Sequence, residues 1–220
     1  DELFATWLSA LKEAGVTAIK GRVIGDASIF EVQQRPGSWA WSDLGNYYAS
    51  GACGLNFYQN TYQAFFQPGA VGAKARFLRT EPILPGVEFY NEMLTGSSES
   101  GDLGYVYAAA YGDVAFLRGS IPAGRAFSIK GALPDPALLC AQLFERYLKK
   151  QGVEVGNKAS TIRKMRATGK LVASERHALH THKSKPLREI LIRMNHKSVN
   201  LLAESILKRV GGGSTEGGVN

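Results

Sequence analysis

The sequence predicts a mixed α/β chain of the α+β kind: a helix, a β-rich middle, then further helices. Three observations predict it. Leu3, Phe4, Trp7, Leu8 and Leu11 recur at helical spacing near the start. The 25 glycines and the turn signals Gln67-Pro68-Gly69 and Gly112-Asp113 break residues 61–129 into short strands. Beyond residue 135 the apolar residues return to helical spacing. With 220 residues there is room for one large domain or two ordinary ones, enough to bury a core without a disulfide or metal staple. A chain that is 45% hydrophobic and 20% charged is not a disordered one.

The elements follow in order. Residues 2–14 form a helix with one apolar stripe, closed by Gly15. Val16 to Phe30 reads as strand and turn, punctuated by Gly21 and Gly25. Residues 35–56, rich in Gly, Ser, Trp and Tyr without a period, read as a structured loop. Tyr105, Tyr107, Ala109 and Tyr111 alternate as a half-buried strand does. Asp135-Pro136 opens a helix as N-cap and first helical residue. Leu139, Leu143, Phe144, Tyr147 and Leu148 carry its apolar face and Gly152 ends it. A polar stretch leads to Pro186, which starts a helix with Leu187, Ile190, Leu191 and Met194. A break at Asn195–Lys197 precedes a last helix from about Ser198 to Val210. The domain boundary falls near residues 180–186.

The charge is lopsided. Residues 1–110 hold 7 basic and 11 acidic side chains, and residues 111–220 hold 19 and 8. Residues 146–197 alone hold 14 basic and 3 acidic. That stretch has no aromatic residue after Tyr147, so it lacks a stacking platform for single strands. It shows no zinc-finger or basic-zipper pattern either, and no nucleic-acid partner is expected. No apolar run approaches the roughly 18 residues that span a bilayer, so no transmembrane segment is expected. Cys53 and Cys140 sit in apolar surroundings and read as buried free thiols. The chain starts at Asp1 without a signal-peptide pattern and ends on a run from Gly211 to Gly218. Both ends read as a piece of something longer.

Chemical candidates are few. His180 and His182 would share one face of a strand, but no Cys or acidic residue completes a metal site at ligand spacing, so no metal and no cofactor are expected. No glycine-rich phosphate loop opens a helix. Ser9-Ala10-Leu11-Lys12 and Ser205-Ile206-Leu207-Lys208 both have the S-x-x-K form of one serine acyl-transfer class. Each lies inside an amphipathic helix whose other residues explain it, and both read as decoys. The K-T-G of that class is absent, Ala167-Thr168-Gly169 lacking the lysine. Ser198-Val199-Asn200 is the chain's S-x-N.

The surroundings of Ser198 form an extended pattern. Pro186-Leu187-Arg188-Glu189-Ile190, then Met194-Asn195-His196-Lys197-Ser198-Val199-Asn200, then Ala203-Glu204 resembles the S-x-N region of the D-alanyl-D-alanine carboxypeptidase/endopeptidase family, the low-molecular-mass class C penicillin-binding proteins. The resemblance runs along the chain. Gly21, Asp26, Ser28 and Phe30 match a strand segment of that family. Trp41-Ser42-Asp43-Leu44, Tyr47-Tyr48 and Leu55-Asn56 match the loop after it. Gly119-Ser120-Ile121-Pro122, Pro136 and Gly152-Val153-Glu154-Val155-Gly156 match a later insert, and His182 and Ser184 its H-x-S. Ala49 stands where the family often has Gly, and Cys53-Gly54 where it has Ser-Ala.

The resemblance implies part of a penicillin-binding, β-lactamase-like serine hydrolase fold. Residues 1–182 would be an inserted β-rich region with room for nested subdomains, and 183–220 the helical part of the catalytic domain. It implies a serine-type carboxypeptidase or endopeptidase acting on peptidoglycan peptides through an acyl-enzyme. The protein would bind β-lactams and work in the periplasm or outside the cell, in the envelope. S-x-x-K would precede this stretch and K-T-G follow it, so this chain alone would be inactive. By the same resemblance Ser198 relays a proton and Asn200 holds a substrate carbonyl. Trp41, Asp43 and Tyr48 would line the pocket for the stem peptide's side chain, Asp43 meeting its ammonium. The alternative is a non-catalytic wall-binding or scaffolding homologue, for which Ser198 is only an N-cap.

Overall fold

The computed structural model describes residues 2–170 and 175–211. Asp1 and the glycine-rich tail beyond Gly211 lie outside them. Helix α1 (Glu2–Glu13) buries Phe4 and Leu8. The ring of Phe4 lies 5.3–5.7 Å from those of Trp7, Phe57, Phe144 and Tyr147, an aromatic knot that fixes the helix to the rest of the chain. Gly15, at φ +73°, closes the helix in the left-handed conformation that costs glycine nothing. Strands β1 (Ala18–Ile19) and β2 (Ile24–Gly25) are brief. The rest of 16–30, read as strand and turn, is turn and irregular chain, and Asp26 turns it by accepting from the Ser28 N–H at 2.9 Å.

After the loop 35–60 comes the β-rich middle. It comprises β3 (Thr61–Gln67), β4 (Arg76–Glu81), β5 (Glu88–Asn91), β6 (Leu94–Gly96), β7 (Leu103–Ala108), β8 (Val114–Pro122) and β9 (Phe127–Ala132). β4, β3 and β9 form one antiparallel sheet in that order. In the other, β8 pairs with β7 antiparallel on one edge and with β5 then β6 parallel on the other. The sheets share a core in which Phe66, Met93, Val106, Leu117 and Ile121 are completely buried. β7 falls within the stretch where a strand was expected, and ends at Ala108. Val106 and Ala108 are buried while Tyr105 is 46% exposed, and Ala109 and Tyr111 lie beyond the strand's end.

Helix α2 (Pro136–Lys150) is capped by the Asp135 carboxylate, which accepts from the Leu138 N–H at 3.0 Å. Pro136 takes the first helical position, and Lys149 and Lys150 complement the helix dipole in the last turn. Strands β10 (Glu154–Val155) and β11 (Ser160–Thr161) follow, pairing in parallel with β1 and β2. The Glu145 carboxylate ties their connection to α2, accepting from Lys149 Nζ at 2.6 Å and from the Ala159 N–H at 2.5 Å. Together they lower its pKa against the desolvation that would raise it. A helix absent from the sequence reading, α3 (Ile162–Ala167), starts on a Thr161 cap.

Two helices end the described chain: α4 (Leu187–Lys197) and α5 (Asn200–Gly211). The break between them lies at Ser198–Val199, not at Asn195–Lys197, because α4 runs on to Lys197 before Ser198 turns left-handed. Pro186 sits just outside α4 as its N-cap. The apolar stripe expected on α4 exists, yet none of its residues is buried among the described residues, and Leu187 is 59% exposed. His180 and His182 lie in a segment without helix or strand, not on the strand expected to place them on one face.

Candidate active site

The Trp41–Tyr48 loop is pinned at its centre. Gly45 and Asn46 run against the end of β7 so closely that a Cβ on Gly45 would stand 2.0 Å from the Val106 carbonyl oxygen. The buried Asn46 side chain accepts from the Val106 N–H at 3.0 Å and donates to the Ser42 carbonyl at 3.1 Å. Its backbone bridges to Gly131, and the Ala132 N–H donates to the Gly45 carbonyl at 2.8 Å. The far side is held by buried Arg35, whose Nε donates to the Ala49 carbonyl at 2.7 Å. Burial pushes that guanidinium down to about 10. Asn60 locks the exit, donating to the Gly51 carbonyl at 2.7 Å and accepting from the Phe57 N–H at 2.9 Å.

Held this way, the loop presents its aromatic residues outward. Trp41 opens a short 3-10 turn, Trp41–Asp43, and is 68% exposed; Tyr48 lies in a second turn, Tyr47–Ala49. The Tyr48 hydroxyl donates to Asp43 Oδ1 at 3.1 Å. Partial burial, together with that carboxylate, pushes the Tyr48 phenol up to about 12. The bond uses one carboxylate oxygen of Asp43.

The helical corner reaches the same loop. Asn200, in the first turn of α5, donates from Nδ2 to the Tyr48 main-chain carbonyl at 2.8 Å. Leu201 beside it is buried. Further along α5, Ser205 Oγ accepts from Asn56 Nδ2 at 3.4 Å, and Lys208 Nζ pairs with Glu31 at 3.0 Å and also donates to the Gln33 carbonyl. Ser198 stands two residues before Asn200, exposed, at φ 48° and ψ 47°. Its N–H closes α4 on the Met194 carbonyl. It is therefore a C-terminal closing residue, and it makes no side-chain cap bond into α5 among the described residues.

The model of the D-Ala-D-Ala carboxypeptidase 3 (S13) family matches residues 2–219. The chain belongs to this family. The curated D-alanyl-D-alanine carboxypeptidase DacB of Haemophilus influenzae is 22% identical over 205 residues, covering 92% of this chain and 41% of that protein. The crystal structure of penicillin binding protein 4 (dacB) from Haemophilus influenzae matches with a TM-score of 0.70 at 21% identity, over 94% of this chain and 44% of that one. A structure of the same protein complexed with a novel β-lactam matches at 0.58 and 16% identity, over 95% and 42%. The chain thus spans about two fifths of the length of these relatives. The fold is that of a penicillin-binding protein, as the resemblance implied.

Within this S13 chain the expected site residues form two groups. Asp43, Tyr48 and Asn200 are joined by hydrogen bonds; Trp41 and Ser198 flank them without a side-chain bond of their own among the described residues. His182 and Ser184 are exposed in the irregular segment before α4. Of the two S-x-x-K matches, Ser9 and Lys12 lie on α1, and Ser205 and Lys208 on α5 bond to Asn56, Glu31 and Gln33. Among the described residues no three metal-ligating side chains gather, and no helix is long and apolar enough to cross a membrane. Cys53 and Cys140 are buried free thiols, and burial pushes them up to about 11 and 12. Three positioning residues escaped the sequence reading: Arg35, Asn46 and Asn60. Asn46 was visible only as one polar residue in an aperiodic loop, because its decisive partner lies 60 residues away.

Proposed function

We propose that this chain is part of a serine-type D-Ala-D-Ala carboxypeptidase or endopeptidase that cleaves peptidoglycan stem peptides through an acyl-enzyme and reacts with penicillins. The observation that carries the reading is the hydrogen bond from Asn200 to Tyr48, which joins the S-x-N corner to the Trp41–Tyr48 loop. The Asn200 amide has two N–H donors, and one serves Tyr48. The other, with Oδ1, holds the substrate's main chain. The Ser198 hydroxyl both donates and accepts, so it relays a proton toward the leaving amine. Asp43 takes the ammonium of the stem peptide's side chain, Tyr48 covers its methylenes, and Trp41 walls the pocket.

Residues 1–182 are the inserted β-rich region and 183–220 the helical part of the catalytic domain, which agrees with an α4 that buries no residue within the described chain. The nucleophile and its lysine base belong to the rest of that domain, so these 220 residues alone do not acylate. The working compartment is the periplasm or the outer side of the cell envelope, where the substrate lies. Labelling with a fluorescent penicillin tests the reading. A full-length protein carrying these residues is expected to form an adduct sensitive to hydroxylamine, and the 220-residue chain is expected to form none. A full-length protein that takes no label would support a wall-binding or scaffolding homologue instead.

A further inference from the structure

The outer face of the sheet built on β8 carries an ordered aromatic row. Tyr90, Phe116 and Tyr107 are register partners across β5, β8 and β7. The Tyr90 and Phe116 rings stack at 5.2 Å with 26° between their planes. In the next row Arg118 is the partner of Tyr105 and pairs with Glu92 at 2.6 Å. Its guanidinium lies 5.2 Å from the Phe116 ring and 5.5 Å from the Tyr107 ring. The row after that sets Leu94 and Leu103 on either side of Ser120. Tyr90, Tyr105, Leu94 and Leu103 are each 45–52% exposed. A sheet with one solvated face ordinarily turns polar residues outward. Here the inner face is already filled by Val106, Leu117 and Ile121, so core packing does not require the outer aromatics. A contiguous patch of this kind marks a binding surface.

We propose that this row is a stacking platform for the sugar rings of a glycan strand, the polymer that bears the stem peptides. The inference rests on the stem-peptide reading above and adds a second subsite to it. Three strands about 4.8 Å apart make a row about 10 Å long, the span of a disaccharide. The phenols of Tyr90, Tyr105 and Tyr107, with Arg118 and Glu92, supply donors and acceptors for hydroxyl and amide groups. Glu88 and Glu92 balance Arg118 and exposed Lys74, the bridge partner of Leu94, so the face carries no excess positive charge to draw the phosphate backbone of a single-stranded nucleic acid. The platform also adjoins the candidate site. Val106, between Tyr105 and Tyr107 on β7, is the residue whose N–H Asn46 holds beneath the Trp41–Tyr48 loop. A glycan lying on the row delivers its peptide to that loop.

The test is a backbone amide NMR titration of the 220-residue chain with chitotetraose, an amino-sugar oligomer without peptide, and separately with a free stem pentapeptide. Chitotetraose is expected to shift resonances of β5, β7 and β8. Tyr90→Ala and Phe116→Ala are each expected to weaken its binding about 2–12-fold, the loss for one aromatic contact. Tyr90→Phe serves as the folded control that keeps the stack. The pentapeptide response at the Trp41–Tyr48 loop should not change in these variants. If chitotetraose moves no platform resonance while the pentapeptide still perturbs the loop, the platform is overturned and the stem-peptide reading stands. If chitotetraose binds and the pentapeptide perturbs nothing, the platform survives and the stem-peptide reading falls. A concentration-dependent dimer abolished by Phe116→Ala would make the row an interface between copies of this chain, which also overturns the proposal.

Discussion

The side-chain amide of Asn200 and the main-chain carbonyl of Tyr48 meet at 2.8 Å although 152 residues separate them. The bond sets the angle at which the S-x-N corner faces the aromatic loop. Removing it with Asn200→Ala is expected to cost about 1 kcal/mol, the worth of one hydrogen bond near the surface. For a chain of this size that corresponds to a melting temperature about 2–4 °C lower. Thermal unfolding followed by circular dichroism measures it; an unchanged melting temperature would mean that the bond does not anchor the loop.

Ser198 allows its structural and chemical roles to be separated. A non-glycine residue held left-handed stores about 1 kcal/mol, so Ser198→Gly is expected to stabilise the chain by up to that amount. Ser198→Ala keeps the strain and should melt near the native temperature. In a full-length protein both variants are expected to slow acylation by about 10²–10⁴-fold, the cost of losing a positioned proton-transfer group. A Ser198→Ala protein that melts several degrees early yet reacts with penicillin at the native rate would reduce the residue to a turn former.

The phenol of Tyr48 gives a pH signature. Its pKa of about 12 in the folded state lies above the ordinary tyrosine value, through partial burial and then Asp43. The folded chain therefore binds this proton more tightly than the unfolded one. The resulting stability is fully present below about pH 10 and is lost as pH rises through about 12. Ultraviolet titration of the native chain minus that of Tyr48→Phe isolates the group. Asp43→Asn is expected to move its midpoint downward; an unmoved midpoint would show that the carboxylate does not act on it.

Asn46 is expected to matter more than its place in a loop suggests. Asn46→Ala leaves the Val106 N–H without its acceptor in a buried setting, a loss of about 1–3 kcal/mol. Asn46→Asp keeps the acceptor oxygen and should recover part of that stability. Chemical denaturation of the two variants measures the difference. Equal stabilities would place the cost in the side chain's donor bonds instead.

How far the sequence could be read depended on the range of the interactions that decide each element. Asp135 and Pro136 announced α2 because a cap and its helix are neighbours in the chain. The alternation along β7 was equally legible, but its polarity was not. A period of two names two faces without saying which is buried, and the small Val106 and Ala108 fit between the sheets where the tyrosines do not. α3 has only six residues, four of them basic or small, and owes its existence to the Thr161 cap and the neighbouring strands. In the site, Ser198 and Asn200 came from a local pattern, whereas Arg35, Asn46 and Asn60 act through contacts that no window of sequence contains.

The parallel pairings of Ala18 with Glu154 and of Ile24 with Ser160 impose an order of assembly. The first two strands leave the ribosome long before their partners exist. At about 5–20 residues per second the wait is roughly 7–27 seconds. Meanwhile the hairpin of β7 and β8 can form from neighbouring segments, which pay little loop-closure entropy. The two ends of the chain then close onto a middle that is already folded. Until they do, the apolar side of the first helix, Phe4 and Leu8 included, remains open to chaperones and to other nascent chains.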